Sequence, residues 1–203
     1  MGESQNVSLN NTVMENTTIK GGMLNYIFQD AVGVYRNSSF CACFLRCIYL
    51  FTFRRVVKFR FMQYLLMHNR VSLINKWFIF RYNSKCDKHG IYLPPSTKIG
   101  HGFRFIHAGP LLIHDRAILG INCIVHPCAQ IGTSRTKEGA PIIGDNCFIG
   151  NGCHIIGDCK IGDWCFISPG AFVCKDIPAG SVVGAGLNNI ISDKGEETIK
   201  LYL

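Results

Sequence analysis

A period of six residues constrains this chain more than any other feature. Counting in sixes from Ile113 meets Leu119, Val125, Ile131, Lys137, Ile143, Ile149, Ile155, Ile161, Ile167 and Val173, a branched aliphatic at every stop but Lys137. The exception falls in the polar stretch Thr133 to Gly139, which reads as an inserted loop. Glycine follows the aliphatic at 120, 132, 144, 150 and 162, and a small residue stands two places before it at Ala117, Cys123, Ala129, Cys147, Cys153, Cys159, Cys165 and Ala171. Neither the 3.6-residue period of a helix nor the two-residue period of a strand gives this pattern. A fixed hexapeptide repeat specifies a parallel β-helix. Each hexapeptide supplies a short strand and a corner, three make a triangular coil, the aliphatic fills the core, and glycine suits corners that need positive φ or close approach. The Ile99-Gly100 pair belongs to the same style but stands out of phase.

The period also accounts for the regularly spaced members among the eleven cysteines. Five of them occupy the small inward position, where Ala or Ser would serve as well, so their regular spacing is a packing rule and not a metal motif. No C-x-x-C is present, an odd count cannot pair fully within one chain, and the N-terminus lacks the apolar run of a secretory signal. A disulfide-stapled secreted protein is thereby disfavoured, and reduced thiols in the cytoplasm are expected.

Charge divides the chain. The net charge is +8, yet residues 41–90 hold ten Lys/Arg against the single acid Asp87, while the remainder is nearly neutral. That basic segment is also the most apolar, and its stretch from Arg54 to Tyr82 has no Gly or Pro, which predicts one or two helices. The apolar run from Phe40 to Phe51 is too short to span a bilayer. Three roles remain open for the segment: a helical cap on the rest of the protein or on another subunit, a peripheral contact with a membrane surface, and, least supported for want of a binding motif, nucleic-acid contact. The expected organisation is a flexible N-terminus over 1–21, a basic helical segment over 22–85, the β-helix over 86–191 with its loop at 133–141, and a tail over 192–203.

The stretches Ile91-Tyr-Leu-Pro-Pro-Ser-Thr-Lys-Ile-Gly100, Gly102-Phe-Arg-Phe-Ile-His-Ala-Gly109, Ile124-Val-His-Pro-Cys-Ala-Gln-Ile-Gly132 and Pro141-Ile-Ile-Gly-Asp-Asn-Cys-Phe-Ile-Gly150 resemble the serine acetyltransferase branch of the hexapeptide-repeat acyltransferases. Their style is nearest to that of polysaccharide-cluster members. The resemblance implies a left-handed β-helix, a homotrimer with active sites between subunits, acetyl-CoA as co-substrate, no metal, and direct transfer of the acetyl group to a hydroxyl. His107 matches the family's catalytic histidine, a sensible general base because imidazole titrates near neutral pH. His126 and Asp115 are candidates for the acceptor site. For CoA the candidates are the corner glycines Gly132, Gly150, Gly152 and Gly170, with Lys175, Arg135 and Lys137 as cations for its phosphates. His101, His114 and His154 read as surface residues, and the histidine spacings do not resemble the zinc pattern of β-helical carbonic anhydrases.

Departures from the family pattern bear on the acceptor. Tyr92 and Ile106 stand where the family has acids near the catalytic histidine, Gly139-Ala140 replaces an Arg-His pair, and Gly184 to Asn189 departs from the family's terminal CoA motif. Loss of an arginine that would hold a carboxylate argues for a sugar hydroxyl in a small molecule or glycolipid of surface-polysaccharide synthesis. Serine O-acetylation is the alternative, and a non-catalytic β-helix scaffold is the alternative of another class. A cytoplasmic location, at the inner membrane face if the basic segment touches lipid, follows from the leading expectation.

Overall fold

The computed structural model describes residues 22–34, 51–67, 73–135 and 138–200. From Ile91 onward the chain winds as a parallel β-helix with three faces. The first sheet stacks β1 (Ile91–Tyr92), β4 (Leu111–Ile113), β7 (Gln130–Gly132), β10 (His154–Ile156), β13 (Ala171–Val173) and β15 (Gly186–Leu187). The second stacks β2 (Lys98–Ile99), β5 (Ile118–Leu119), β8 (Ile142–Ile143) and β11 (Lys160–Ile161). The third stacks β3 (Arg104–Phe105), β6 (Ile124–Val125), β9 (Phe148–Ile149), β12 (Phe166–Ile167) and β14 (Val182–Val183), and β16 (Ile190–Ser192) closes it in antiparallel fashion.

The sixfold column is the core. Ile113, Leu119, Val125, Ile131, Ile143, Ile149, Ile155, Ile161, Ile167 and Val173 are all fully buried, and the small residues two places earlier line the same interior. Strand register explains where the period breaks. Partners in the first coil pair are 20 residues apart (Arg104 opposite Ile124), against 18 in a regular pair such as Phe148 and Phe166. The two surplus residues lie between Phe105 and Ile113, which puts Ile99 out of phase and builds a longer corner around His107. Across the 133–141 loop the partners are 24 apart (Ile124 opposite Phe148), a surplus of one full hexapeptide that preserves the count. The surplus falls between Gly132 and Ile142; Lys137 itself lies outside the described residues.

The core thiols do more than fill space. Cys123 donates to the Gly144 carbonyl at 3.3 Å, Cys147 to Gly162 at 3.2 Å, Cys165 to Pro178 at 3.1 Å and Cys153 to Ser168 at 3.0 Å. Each thiol thus satisfies a corner carbonyl of the following coil, which Ala could not do. Burial pushes the Cys123 thiol up to about 12 and Cys153 up to about 11, so both stay protonated and inert.

The helical segment forms α1 (Met23–Val34), α2 (Phe51–Met67) and α3 (Leu73–Asp87). Its last helix runs two residues beyond the boundary expected at 85. Strand N–H groups of each coil donate to carbonyls of the next, as from Arg104 to Cys123 and from Phe148 to Cys165, both at 2.9 Å. The first coil consequently presents carbonyls with no earlier coil to pair them. The helices supply the missing donors: Tyr82 to Leu93 at 3.0 Å, Gln63 to Thr97 at 2.8 Å, and Arg60 to Ile99 at 2.8 Å and Gly100 at 2.6 Å. Arg60 is fully buried, and its charge is balanced by fully buried Asp30 on α1, 2.9 Å from Nε. Asp30 also accepts from the Phe103 amide at 2.9 Å, so one ion pair ties α1, α2 and the first coil together.

Within the segment expected as a tail, residues 195–200 form a short helix. Helix α4 (Gly195–Lys200) lays Ile199 on the outer face of the third sheet against Ile124, Phe148, Phe166 and Val182. Among the described residues no helix is long and apolar enough to cross a membrane.

Candidate active site

His107 stands on the corner between β3 and β4, exposed, with φ of 66°. Asn122, Cys128, Asn146 and Trp164 adopt the same left-handed conformation at other corners, so the strain belongs to turning this chain and not to His107 alone. What singles out His107 is the two-residue surplus at its corner. His126 follows β6 on the next coil, and the two rings lie 5.9 Å apart, edge toward face. His126 rests in turn on Phe148 at 4.9 Å, and Phe148 stacks on Phe166 at 4.6 Å. An aromatic column beneath α4 therefore supports the histidine pair. Burial, and then the neighbouring His107, hold His126 below the usual imidazole value, which favours its neutral form.

A groove of about 310 Å³ opens beside His107. Its walls are Thr52, Phe53 and Val56 of α2 and Phe103 to Ile106 of the first coil, which places Arg104 in the same groove as the candidate base. Sequence reading missed this wall, because α2 and β3 are separated by some fifty residues with no shared motif. The one available signal was Arg60, a charge set between Phe59 and Phe61, which needs a buried partner to be tolerated.

The other candidates fall on two edges of the first sheet. Gly150, Gly152 and Gly170 share the edge of His107 and His126. Gly152 and Gly170 have positive φ and open space where a side chain would be, whereas a Cβ on Gly150 would meet Pro169 N at 2.6 Å and Ile167 O at 2.8 Å. Gly150 is thus glycine because the next coil packs against it, and its bare face is not available to a ligand. Gly132, Arg135, Asp115 and Lys175 lie on the sheet's other edge, with Arg135 and Lys175 exposed. Asp115 pairs with His114 at 2.8 Å. Within one chain it serves that histidine, and the structure does not bring it to His107. Among the described residues no group of three or more His, Cys, Asp or Glu could hold a metal ion.

Comparison with known proteins adds family context. Residues 140–175 match the bacterial transferase hexapeptide (six repeats) family. The chain is 33% identical over 156 residues to serine acetyltransferase 1, chloroplastic, of Arabidopsis thaliana, covering 74% of this chain and 48% of that one. It is 32% identical over 137 residues to serine acetyltransferase 5 of the same plant, covering 66% of this chain and 39% of that one. It therefore spans less than half the length of these relatives. Among solved structures, serine acetyltransferase of Neisseria gonorrhoeae in complex with serine shares the fold with a TM-score of 0.71 at 21% identity, covering 89% of this chain and 74% of that one. Soybean serine acetyltransferase complexed with serine also gives 0.71, at 20% identity, over 83% and 69%. These likenesses support the serine acetyltransferase alternative over the sugar acceptor expected from Gly139 and Ala140. The names of these relatives and neighbours make no mention of polysaccharide synthesis.

Proposed function

We propose, on the premise that this chain is a serine acetyltransferase-like hexapeptide-repeat protein, that it transfers an acetyl group from acetyl-CoA to a hydroxyl, with L-serine the first acceptor to test. The observation that carries this reading is the enlarged corner that sets His107 at the mouth of a groove, with His126 beside it. His107 accepts the proton of the acceptor hydroxyl as that oxygen attacks the thioester carbonyl, and returns it to the departing CoA thiolate. His126, kept neutral, hydrogen-bonds at the acceptor without adding a second positive charge. Gly152 and Gly170 leave open space along the same edge for the pantetheine arm. Lys175 and Arg135, on the opposite edge of the sheet, are the cations for the CoA phosphates, together with Lys137, which lies outside the described residues.

That separation is resolved by assembly. The outer face of the first sheet exposes Tyr92, Leu112, Phe172 and Leu187. In a homotrimer this apolar face meets a neighbouring copy, so that the histidine edge of one subunit and the cationic edge of another flank one site. Acetyl-CoA is an intracellular co-substrate, which supports the cytoplasmic reading.

A second acceptor reading rests on the groove itself. Its mainly apolar lining and volume exceed what serine requires, and with Gly139-Ala140 in the loop this favours a larger hydroxyl compound such as a sugar. The experiment is thiol release from acetyl-CoA with product identification. O-acetylserine formation supports the first reading, turnover with saccharides alone moves the acceptor to the second, and absence of CoA binding in calorimetry returns the scaffold reading.

A further inference from the structure

Helices α2 and α3 form an antiparallel hairpin, with Phe61 facing Phe78 at 6.1 Å. Between them runs a groove of about 670 Å³, distinct from the groove at His107. Six cationic side chains line it, Arg54, Arg55, Lys58, Arg81, Lys85 and Lys88, and no acidic side chain does. Its floor is apolar and aromatic, with Phe61, Trp77 and Phe78. The cations crowd one another: the Lys58 ammonium is pushed below its usual value by burial and then by Lys85, Arg54 and Arg55. The first coil is capped by Arg60 and Gln63, which do not line this groove, and by Tyr82, which lines it but donates its hydroxyl to Leu93.

Charge and apolar surface are separated along the hairpin instead of around it. The cations gather toward the start of α2 and the end of α3. Toward the hairpin's turn lie exposed Leu66, Met67, Leu73, Ile74 and Trp77, with Leu73 83% and Ile74 65% exposed. From the Phe61–Phe78 pair to the last residue of α2 is six residues, or roughly 9 Å of helix. An interfacial segment buries its apolar part about 5–10 Å below the lipid headgroups, with cations at headgroup level. Lys76, the one described cation near the turn, has a stem long enough to carry its ammonium back to the headgroups.

We propose that this hairpin is a docking surface for a bilayer containing anionic phospholipid, with the lipid phosphates held in the basic groove and the exposed apolar side chains of Leu66, Met67, Leu73 and Ile74 inserted into the interface. A second copy of the chain would bring the same cations and is disfavoured there by like charge. A dissolved polyanion would satisfy the cations but would leave Leu73 and Ile74 in water.

The test uses the full chain and sedimentation with vesicles. Binding should rise with the phosphatidylglycerol fraction, fall with salt, and be weak on pure phosphatidylcholine. The exposed pair Arg81→Glu/Lys85→Glu should lower partitioning by about tenfold or more, since each cation near an anionic surface contributes and two signs are reversed. Leu73→Ser/Ile74→Ser should lower it with the charge unchanged, and circular dichroism verifies that both variants stay folded. Equal binding to neutral and anionic vesicles, indifference to either pair, or tight binding to an RNA oligomer without vesicle binding would overturn the proposal. Acetyl transfer in solution is a separate readout, so failure here leaves the catalytic reading standing and the reverse also holds.

Discussion

The β-helix and its helical cap solve the same problem in opposite ways. In the β-helix each coil meets the hydrogen-bonding needs of its neighbour, and one fully buried aliphatic per hexapeptide repeats the same contact. Stability is spread over many equivalent contacts. The cap has no repeat, and it meets the unmatched first coil with a few side chains, above all the buried Arg60–Asp30 pair. A periodic region can lose one unit and keep the rule, whereas an aperiodic one depends on particular residues.

That contrast is broken most sharply at Arg60. Arg60→Ala leaves Asp30 buried without its partner and uncaps two carbonyls, so a loss of about 3–5 kcal/mol is expected in denaturant unfolding. Hydrogen exchange should show α1 and α2 losing protection before the middle coils do. Uniform loss across both regions would mean that cap and solenoid are one cooperative unit. In the solenoid, Ile149→Ala should cost about 2–5 kcal/mol and Ile149→Val about 0.5–1.5 kcal/mol, and the same pair at Ile155 should give closely similar values because the contacts repeat. Cys147→Ala should cost about 1–3 kcal/mol by leaving the Gly162 carbonyl without a donor, and Cys147→Ser should recover part of that. Equal effects of the two would show that the thiol contributes volume alone.

The smallest expected effect is a dependence on pH. Burial holds both His101 and His126 below the usual imidazole value. The unfolded chain therefore takes up protons first as pH falls, so stability is complete above about pH 6.5 and declines as pH drops from there toward the lowered folded values. His126→Gln should flatten part of that slope in thermal unfolding followed from pH 7.5 to 5.5, values chosen to bracket the usual imidazole range of about 6.5. An unchanged slope would remove His126 from the account.

Much of the solenoid was legible because its physics is local. A six-residue step that must return an aliphatic to the interior writes itself into the sequence, down to the loop at 133–141 and the phase slip before Ile113. The cap was legible only as basic, apolar and helical. Its decisive contact joins Asp30 to Arg60 across thirty residues, and its capping donors answer carbonyls whose lack of partners appears only once the coils are stacked. The candidate site divides in the same manner. His107 and His126 stood out by their motifs, while Arg104 and the α2 wall depend on tertiary packing, and the contact of Asp115, an acceptor-site candidate, with His114 follows from the corner it occupies. The thiol donors were missed since a cysteine and an alanine satisfy the same spacing rule.

The most direct test of the account is steady-state acetyl transfer from acetyl-CoA to L-serine by His107→Ala beside the unaltered protein. Loss of the general base should lower kcat by about 10²–10⁴-fold while circular dichroism and CoA binding stay intact. Equal rates in the two proteins would contradict the assignment of His107 and, with it, the reading of the enlarged corner as an active site.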